Sequence, residues 1–244
     1  MAAKIKRQGM RKLFYRFASA LLPVCTHLPR FSGPCFVLGS APNPAIPEGF
    51  GERWQFWTVN ASQAGVDSQP LGDPDVTVMS AQMLGDRPAN VAGKTALKGR
   101  RTGRLIVIER GFNADQIVEI LRNIGYSIGQ LHFISHFQRA VLVRKLLKAD
   151  LAYGSGEQKV STGVFAILLA LRQGLSPVVI GGLSLSRGGH SYNQLSHKRE
   201  HVDVDARALA LLRRFPVFTT DKQLAKDSGI PLWVGKLMND ENEK

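Results

Sequence analysis

The chain has 244 residues, of which 44% are hydrophobic and 21% charged, so it can bury one large core. Its formal net charge of +13 is unevenly distributed, since the first 47 residues contain seven lysines and arginines and no acidic residue. A uniformly basic chain would indicate nucleic-acid binding, whereas a basic end indicates a tether or a contact with an anionic surface. The sequence also lacks an interleaved aromatic and basic pattern, which argues against nucleic acid as a partner.

Two cysteines, Cys25 and Cys35, lie near the start of the chain. Neither has the spacing or the histidine partners of a metal site, and one disulfide would not make a secreted scaffold. We therefore expect both thiols to be reduced, which favours a reducing compartment and a cytoplasmic location.

Residues 1–30 are the first predicted unit, a basic amphipathic helix. In Met1–Leu22 six basic residues alternate with apolar ones, and most of the apolar side chains would share one broad helix face. The segment lacks the apolar stretch and cleavage site of a signal peptide, and it is too polar to span a membrane. Two interpretations remain open. The helix lies on anionic lipid as a peripheral contact at the inner membrane face, or it packs its apolar face on its own domain.

Residues 31–237 are predicted to form one domain in which short apolar strands alternate with helices. The predicted strands are Cys35–Leu38, Trp54–Val59, Asp75–Met79, Arg104–Ile108, Leu131–Ile134, Pro177–Ile180 and Pro216–Thr219. The predicted helices are Asn113–Asn123, Thr162–Arg172, Val202–Arg214 and a closing helix capped by Asp221 or Thr220. This alternation predicts an α/β fold with a single Rossmann-like, mainly parallel sheet and helices on both faces. We expect Leu84–Arg104 to be a mobile basic loop and residues 238–244 to be a disordered tail.

Small polar residues follow the first three predicted strands. Ser40 and Asn43 come after the first strand, Asn60 after the second and Ser80 after the third. Because the carboxyl ends of parallel strands meet at one edge of a sheet, these residues are expected to converge on one crevice. Their amides and hydroxyls could read a base or a ribose, although each one alone is also a common turn or cap residue.

A second candidate element precedes the longest apolar helix, where Gly154–Gly163 ends in Ser161, Thr162 and Gly163. Free amides and hydroxyls at a helix start make a phosphate site that the helix dipole favours. The Gly-Lys-Ser/Thr order of a Walker loop is absent, and Ser161 could equally serve as a plain N-cap.

A third candidate element is the long loop after the sixth predicted strand, residues 181–199. Arg187 and Tyr192 in this loop can reach a phosphate. A base acting near neutral pH could come from His190, His197 or His201. The spacing of these three histidines does not match a zinc site, so no metal is expected.

The order of these elements resembles the small bacterial sialyltransferases and the wider group of sialyltransferase-like and pterin-pyrophosphokinase-like domains. The similarity covers about Phe36–Leu232 and is strongest over Lys159–Thr219. Five motifs of the family are matched in order along this chain. The family's opening Gly-Asn-Gly-Pro-Ser turn corresponds to Gly39–Asn43, and its strand-end Asn corresponds to Asn60. Its Thr-Ser-Gly helix start, its Gly-rich loop with a tyrosine and its Asp-x-x-Ala-Leu helix correspond to Ser161–Gly163, Val178–Tyr192 and Asp205–Leu209.

The resemblance implies roles for these residues. Those implied to hold the cytidine nucleotide and its phosphate are Gly39, Ser40, Asn43, Asn60, Ser80, Ser161, Thr162, Gly163, Ser186 and Tyr192. His201 would be the base that takes a proton from the acceptor hydroxyl, with His197 as the alternative. The chain departs from the family at five positions. Ser40 and Ser80 replace asparagines, and Ser186 replaces a second tyrosine. Ser184 stands in place of the aspartate in the family's Gly-x-Asp after the strand, and His201 is one residue out of register with the family histidine.

The leading functional hypothesis is therefore an inverting glycosyltransferase without metal or other cofactor. It would move a sugar from a nucleotide-activated donor, a CMP-linked acidic sugar, to a surface glycan or glycolipid. Two alternatives stay open. One is Mg²⁺-dependent pyrophosphoryl transfer, with Asp75, Asp203 and Asp205 as candidate metal ligands. The other is a membrane-associated domain that has kept the nucleotide fold and lost its chemistry.

Overall fold

The computed structural model describes residues 14, 17–18, 20–67, 69, 71–108, 112–151, 159–186, 189, 191–192 and 201–235. Most of the predicted basic helix, the glycine turn at 154–156, Arg187, His190, His197 and the predicted tail lie outside these residues. Within the described part of the chain, no helix is long and apolar enough to cross a membrane.

Seven strands of the described chain form a single, entirely parallel sheet. They are β1 (Cys35–Leu38), β2 (Gln55–Val59), β3 (Val76–Ser80), β4 (Arg101–Ile108), β5 (Ser127–Ile134), β6 (Val178–Gly181) and β7 (Val217–Thr219). Their spatial order is β5-β4-β3-β2-β1-β6-β7. Every pairing is parallel, with Val37 opposite Trp57 on one side and Ile180 on the other. The predicted fold class is confirmed.

The described helices connect these strands. They are α1 (Pro88–Leu97), α2 (Ala114–Ile124), α3 (His136–Leu147), α4 (Thr162–Arg172), α5 (Val202–Leu212) and α6 (Lys222–Ser228). Short 3₁₀ turns follow β2 and β3, at Ser62–Val66 and Ala81–Leu84. The predicted cap of α2 is present, since the Asn113 side chain accepts the Gln116 amide in a reciprocal capping box.

The strand side chains alternate between the two faces of the sheet, as the period of a β-strand requires. Cys35 and Val37 contribute to a large core cluster with α3, α4, α5 and α6, whereas Phe36 and Leu38 point to the opposite face. On that opposite face α1 and α2 cover β3, β4 and β5. Helix α4 is buried throughout residues 163–170 and contacts β1, β2, β3 and β6. The centre of the sheet is therefore covered on both faces, and its buried polar side chains Thr58 and Thr77 bond to each other at 2.8 Å.

The prediction of a mobile basic loop over Leu84–Arg104 is wrong. This stretch contains helix α1, which begins with Pro88 at its first turn, and the first residues of β4. The helix packs closely on the turn that precedes it: a Cβ on Gly93 would lie 1.8 Å from Cε of Met83. Glycine is a poor helix former, and its role at this position is close packing.

The two outer strands of the sheet, β7 and β5, differ in how their outer sides are covered. Strand β7 is extended by a parallel bridge from Thr219 to Leu232, which covers its outer side. Strand β5 has eight residues and is the last strand of the sheet at the other side. Two described side-chain bonds reach this strand: Nε2 of His27 lies 2.9 Å from the Phe133 carbonyl, and Nε of Arg104 donates to Oε1 of Gln130 at 3.0 Å.

Candidate functional site

The direction of strand progression reverses between β1 and β6. Strands β2 to β5 follow on one side of β1, and β6 and β7 lie on the other. In doubly wound sheets ligands bind at the carboxyl ends of the strands, beside this switch point. The loops leaving β1 and β6 are joined there, because Gly39 N donates to Gly181 O at 2.8 Å and Ala41 N to Gly182 O at 2.7 Å.

Two facing glycines make this junction possible. A Cβ on Gly39 would lie 2.4 Å from Gly182 O, and a Cβ on Gly182 would lie 2.5 Å from Gly39 O. Gly182 also has a φ of +63°, which disfavours any other residue. The glycines of both loops therefore bring two backbones together at the edge where a ligand is expected.

The strand ends next to this junction are fixed by polar side chains. Ser62 Oγ donates to Leu38 O at 2.7 Å and accepts from Val59 N at 2.9 Å, so it ties β1 to β2. Asn60, with a φ of +54°, accepts the Ser80 amide on its Oδ1 at 3.0 Å. The predicted residues Asn60 and Ser80 are thus in direct contact, and this bond leaves the Asn60 NH₂ group as a donor.

The start of α4 lies at the same edge. Ser161 is the N-cap of this helix, and its Oγ accepts the Val164 amide at 3.2 Å. A Cβ on Gly163 would lie 3.1 Å from Cδ1 of Leu183, in the loop after β6. The N-cap interpretation of Ser161 is correct, and Thr162 beside it is half-buried.

His201 lies close to this helix start through Asp205. His201 is the N-cap residue of α5, and its carbonyl accepts the Asp205 amide at 2.8 Å. The Asp205 carboxylate, which is 7% exposed, accepts the Ser161 amide at 2.7 Å on Oδ1. One aspartate therefore connects the predicted base to the predicted phosphate-contacting helix start.

The other predicted site residues lie at different distances from this edge of the sheet. Ser191 N donates to Ser40 O at 2.7 Å, which brings the end of the long loop back to β1. Tyr192 packs beside Gly93 in the cluster around α1, on the sheet face opposite α4. Asn43, with a φ of +53°, and Ser186 are exposed. The prediction for His197 concerns a residue outside the described chain.

The carboxylates considered for Mg²⁺ do not come together. Asp75 precedes β3 at the amino end of the sheet, where it accepts the Phe56 amide at 2.7 Å. Asp203 and Asp205 lie at the carboxyl edge. Among the described residues, no group of three or more His, Cys, Asp or Glu side chains is arranged to hold a metal ion. A surface cavity of about 170 Å³ beside Asp67 and Arg100 also lies near the amino ends of the strands.

A doubly wound parallel sheet with polar loops at its switch point defines a Rossmann-like α/β protein. Sialyltransferase CstII from Campylobacter jejuni, solved with the substrate analogue CMP-3FNeuAc, has a similar structure, with a TM-score of 0.53 and 10% identity over 83% of this chain and 86% of that one. CstII with trisaccharide acceptor and CMP gives a TM-score of 0.53 and 9% identity, over 83% and 86%. The monofunctional alpha-2,3-sialyltransferase Cst-I from Campylobacter jejuni gives 0.50 and 11%, over 88% and 83%.

These similarities establish the fold. The predicted resemblance to the sialyltransferases is therefore confirmed at the level of the fold, over most of both chains. No protein-family model matches this chain, and no curated protein matches it in sequence.

Proposed function

We propose that this chain is a sialyltransferase-like glycosyltransferase that uses a nucleotide-activated sugar, with CMP as the leaving group. The observation that carries the proposal is the bond from Ser161 N to Asp205 Oδ1, because it holds the helix bearing His201 beside the start of α4. This assembly lies at the switch-point edge, next to the joined loops of Gly39 and Gly182. The fold shared with the CMP-bound sialyltransferases supports the same function.

The nucleotide would bind across the ends of β1 and β2. The Asn60 NH₂ group and the Ser40 hydroxyl are neutral polar groups, which can pair with a base or a ribose without an uncompensated charge. The phosphate would meet the Thr162 hydroxyl and the positive end of the α4 dipole. Ser161 Oγ accepts the Val164 amide as a cap, which fixes the helix start and leaves the hydroxyl hydrogen as a further donor to the phosphate.

In the proposed reaction His201 accepts the proton of an acceptor hydroxyl while that oxygen attacks the anomeric carbon of the donor. The new glycosidic bond forms as the bond to the CMP phosphate oxygen breaks, with inversion at the carbon. The electron pair leaves with CMP, whose charge the α4 dipole and hydroxyl donors stabilise. The acceptor would be a glycan or glycolipid, and the proposed mechanism uses no metal.

A ligand screen by thermal unfolding tests this function. CMP at 100 times its dissociation constant adds about 2.7 kcal/mol to the free energy of unfolding, which gives a clear rise in Tm. We expect that rise with CMP in the presence of EDTA, together with sugar transfer from a CMP-linked acidic sugar. A rise only with ATP and Mg²⁺ would instead support pyrophosphoryl transfer. CMP binding without transfer to any acceptor would support a domain that has lost its chemistry.

A peripheral contact with anionic membrane is part of the proposal. Phe17 and Leu21 are 62% and 77% exposed, and the segment before them is rich in lysine and arginine. Aromatic and aliphatic side chains beside basic residues favour binding to anionic lipid. We expect the Phe17→Ser/Leu21→Ser variant to bind vesicles of anionic lipid about tenfold more weakly in co-sedimentation. Val234→Ser, at an apolar residue that is 74% exposed elsewhere, should bind like the unmodified protein. Equal binding of both variants would contradict the contact.

A further inference from the structure

One peptide group at the start of α4 is held at both ends by buried charged side chains. The Val160 carbonyl accepts a hydrogen bond from Nη2 of Arg139, which lies on α3. The amide of the same peptide group, Ser161 N, donates to Asp205 Oδ1 on α5 at 2.7 Å. Arg139 and Asp205 are only 6% and 7% exposed. Three helices therefore meet at a single peptide bond.

This arrangement resists rotation of the peptide. Hydrogen bonds to charged groups are stronger than those between neutral groups, and a buried charge that loses its partner is costly. Arg139 is also held from the side, since its guanidinium lies 5.2 Å from the ring centroid of Phe165 on α4. Turning the Val160–Ser161 peptide would break its bonds to both buried charges at once.

We infer that Arg139 and Asp205 are positioning residues, which fix the start of α4 and the start of α5 in one geometry for the transfer reaction. This inference rests on the proposed function. Asp205 lies one helical turn after His201, so a shift of its carboxylate moves the predicted base relative to Ser161 and Thr162. Displacements of about 1 Å between reacting groups can lower rates by about 100-fold.

The alternative is that Asp205 merely stabilises a helix terminus. Asp221 provides the matched control, because it also caps a helix with its carboxylate, accepting the amides of Gln223 at 2.7 Å and Leu224 at 3.0 Å. Asp221 caps α6, after the outer strand β7. Its replacement by alanine should lower thermal stability and leave the turnover of the folded enzyme unchanged.

The experiment compares Asp205→Ala, Asp205→Asn, Arg139→Met and Asp221→Ala at a temperature where all four are folded. We expect Asp205→Ala and Arg139→Met to lower kcat by about 30- to 100-fold, with a change in donor KM below about threefold. Asp205→Asn keeps an oxygen that can accept the Ser161 amide, and it should recover most of the lost kcat. Amide hydrogen exchange should speed up at Ser161 in Asp205→Ala, and remain unchanged there in Asp221→Ala.

The outcomes separate this inference from the proposed function. If the unmodified chain transfers no sugar, the proposed function fails and the catalytic part of the inference fails with it. Exchange at Ser161 then still decides whether the two charges hold the peptide. If transfer occurs but Asp205→Ala loses no more kcat than Asp221→Ala, the positioning role is overturned and the function stands. Unchanged amide exchange at Ser161 in Asp205→Ala overturns the inference that Asp205 holds the Val160–Ser161 peptide.

Discussion

Replacing His201 by alanine is expected to lower turnover by about 10²- to 10⁴-fold, which is the usual contribution of a general base. The affinity for CMP should change little, because the proposed nucleotide contacts come from the ends of β1 and β2 and from the start of α4. The Asp205 bond to Ser161 holds the α5 start and does not involve the His201 side chain. Steady-state kinetics for turnover and calorimetric titration for CMP binding check the two halves of this prediction.

A second histidine serves as the control for this experiment. His132 lies on β5, and burial lowers its pKa, with further lowering from the nearby His27 and Arg104 charges. Its strand is the outermost one, and β2, β3 and β4 lie between it and β1 at the switch point. His132→Ala should therefore keep full turnover. Full turnover in His201→Ala would instead remove His201 from the mechanism and leave His197 and His190 as the remaining candidates.

Replacing Gly39 by alanine is expected to destabilise the fold by about 3 kcal/mol, the upper end of what overpacking costs. The new methyl group would lie 2.4 Å from Gly182 O, which is a backbone atom and cannot rotate away. Relief requires β1 and β6 to separate at their carboxyl ends, where Gly39 N donates to Gly181 O. CMP affinity should fall as well, since the two loops that would flank the nucleotide no longer meet.

Urea unfolding followed by circular dichroism measures this effect, and Gly51→Ala is the matched control. A Cβ on Gly51 has no atom within 4 Å, and this exposed residue does not have a positive φ. Its replacement should leave the unfolding midpoint unchanged or raise it slightly, because alanine restricts the unfolded chain. Equal midpoints for the two variants would contradict the close approach of the β1 and β6 loops.

The sequence predicts most of this fold because its strands are short apolar runs that end in polar turns. The four predicted helices were found through side-chain caps such as Asn113 and Ser161 or through apolar stripes. Helix α3 was missed because its buried residues include Arg139 and do not form a single stripe. Helix α1 was missed because the basic residues Lys94, Lys98, Arg100 and Arg101 in and after it are typical of a solvated loop. In both cases tertiary packing overrides the local signal.

In the candidate site, too, some contacts could be predicted from the sequence and others could not. That Asn60 and Ser80 meet could be expected, since both follow neighbouring parallel strands. The bond between Ser161 and Asp205 joins residues 44 positions apart, and no local pattern encodes it. Tyr192 was expected at the phosphate, whereas the structure packs it in the apolar cluster beside α1. Sequence order identifies the edge that carries the site, and only the packing of helices shows which side chains share it.

The difference between the two outer strands bears on how readily the protein aggregates. Strand β5 is eight residues long and contains neither a charged residue nor a proline. Unpaired backbone groups on such a strand are a template for a strand from another molecule. On the opposite side, Leu232 already occupies this position against β7. Aggregation on heating or at high concentration should therefore start at β5. A glutamate in place of the exposed Gln130 adds a charge to that strand and can still accept from Nε of Arg104, so it is the simplest way to improve solubility.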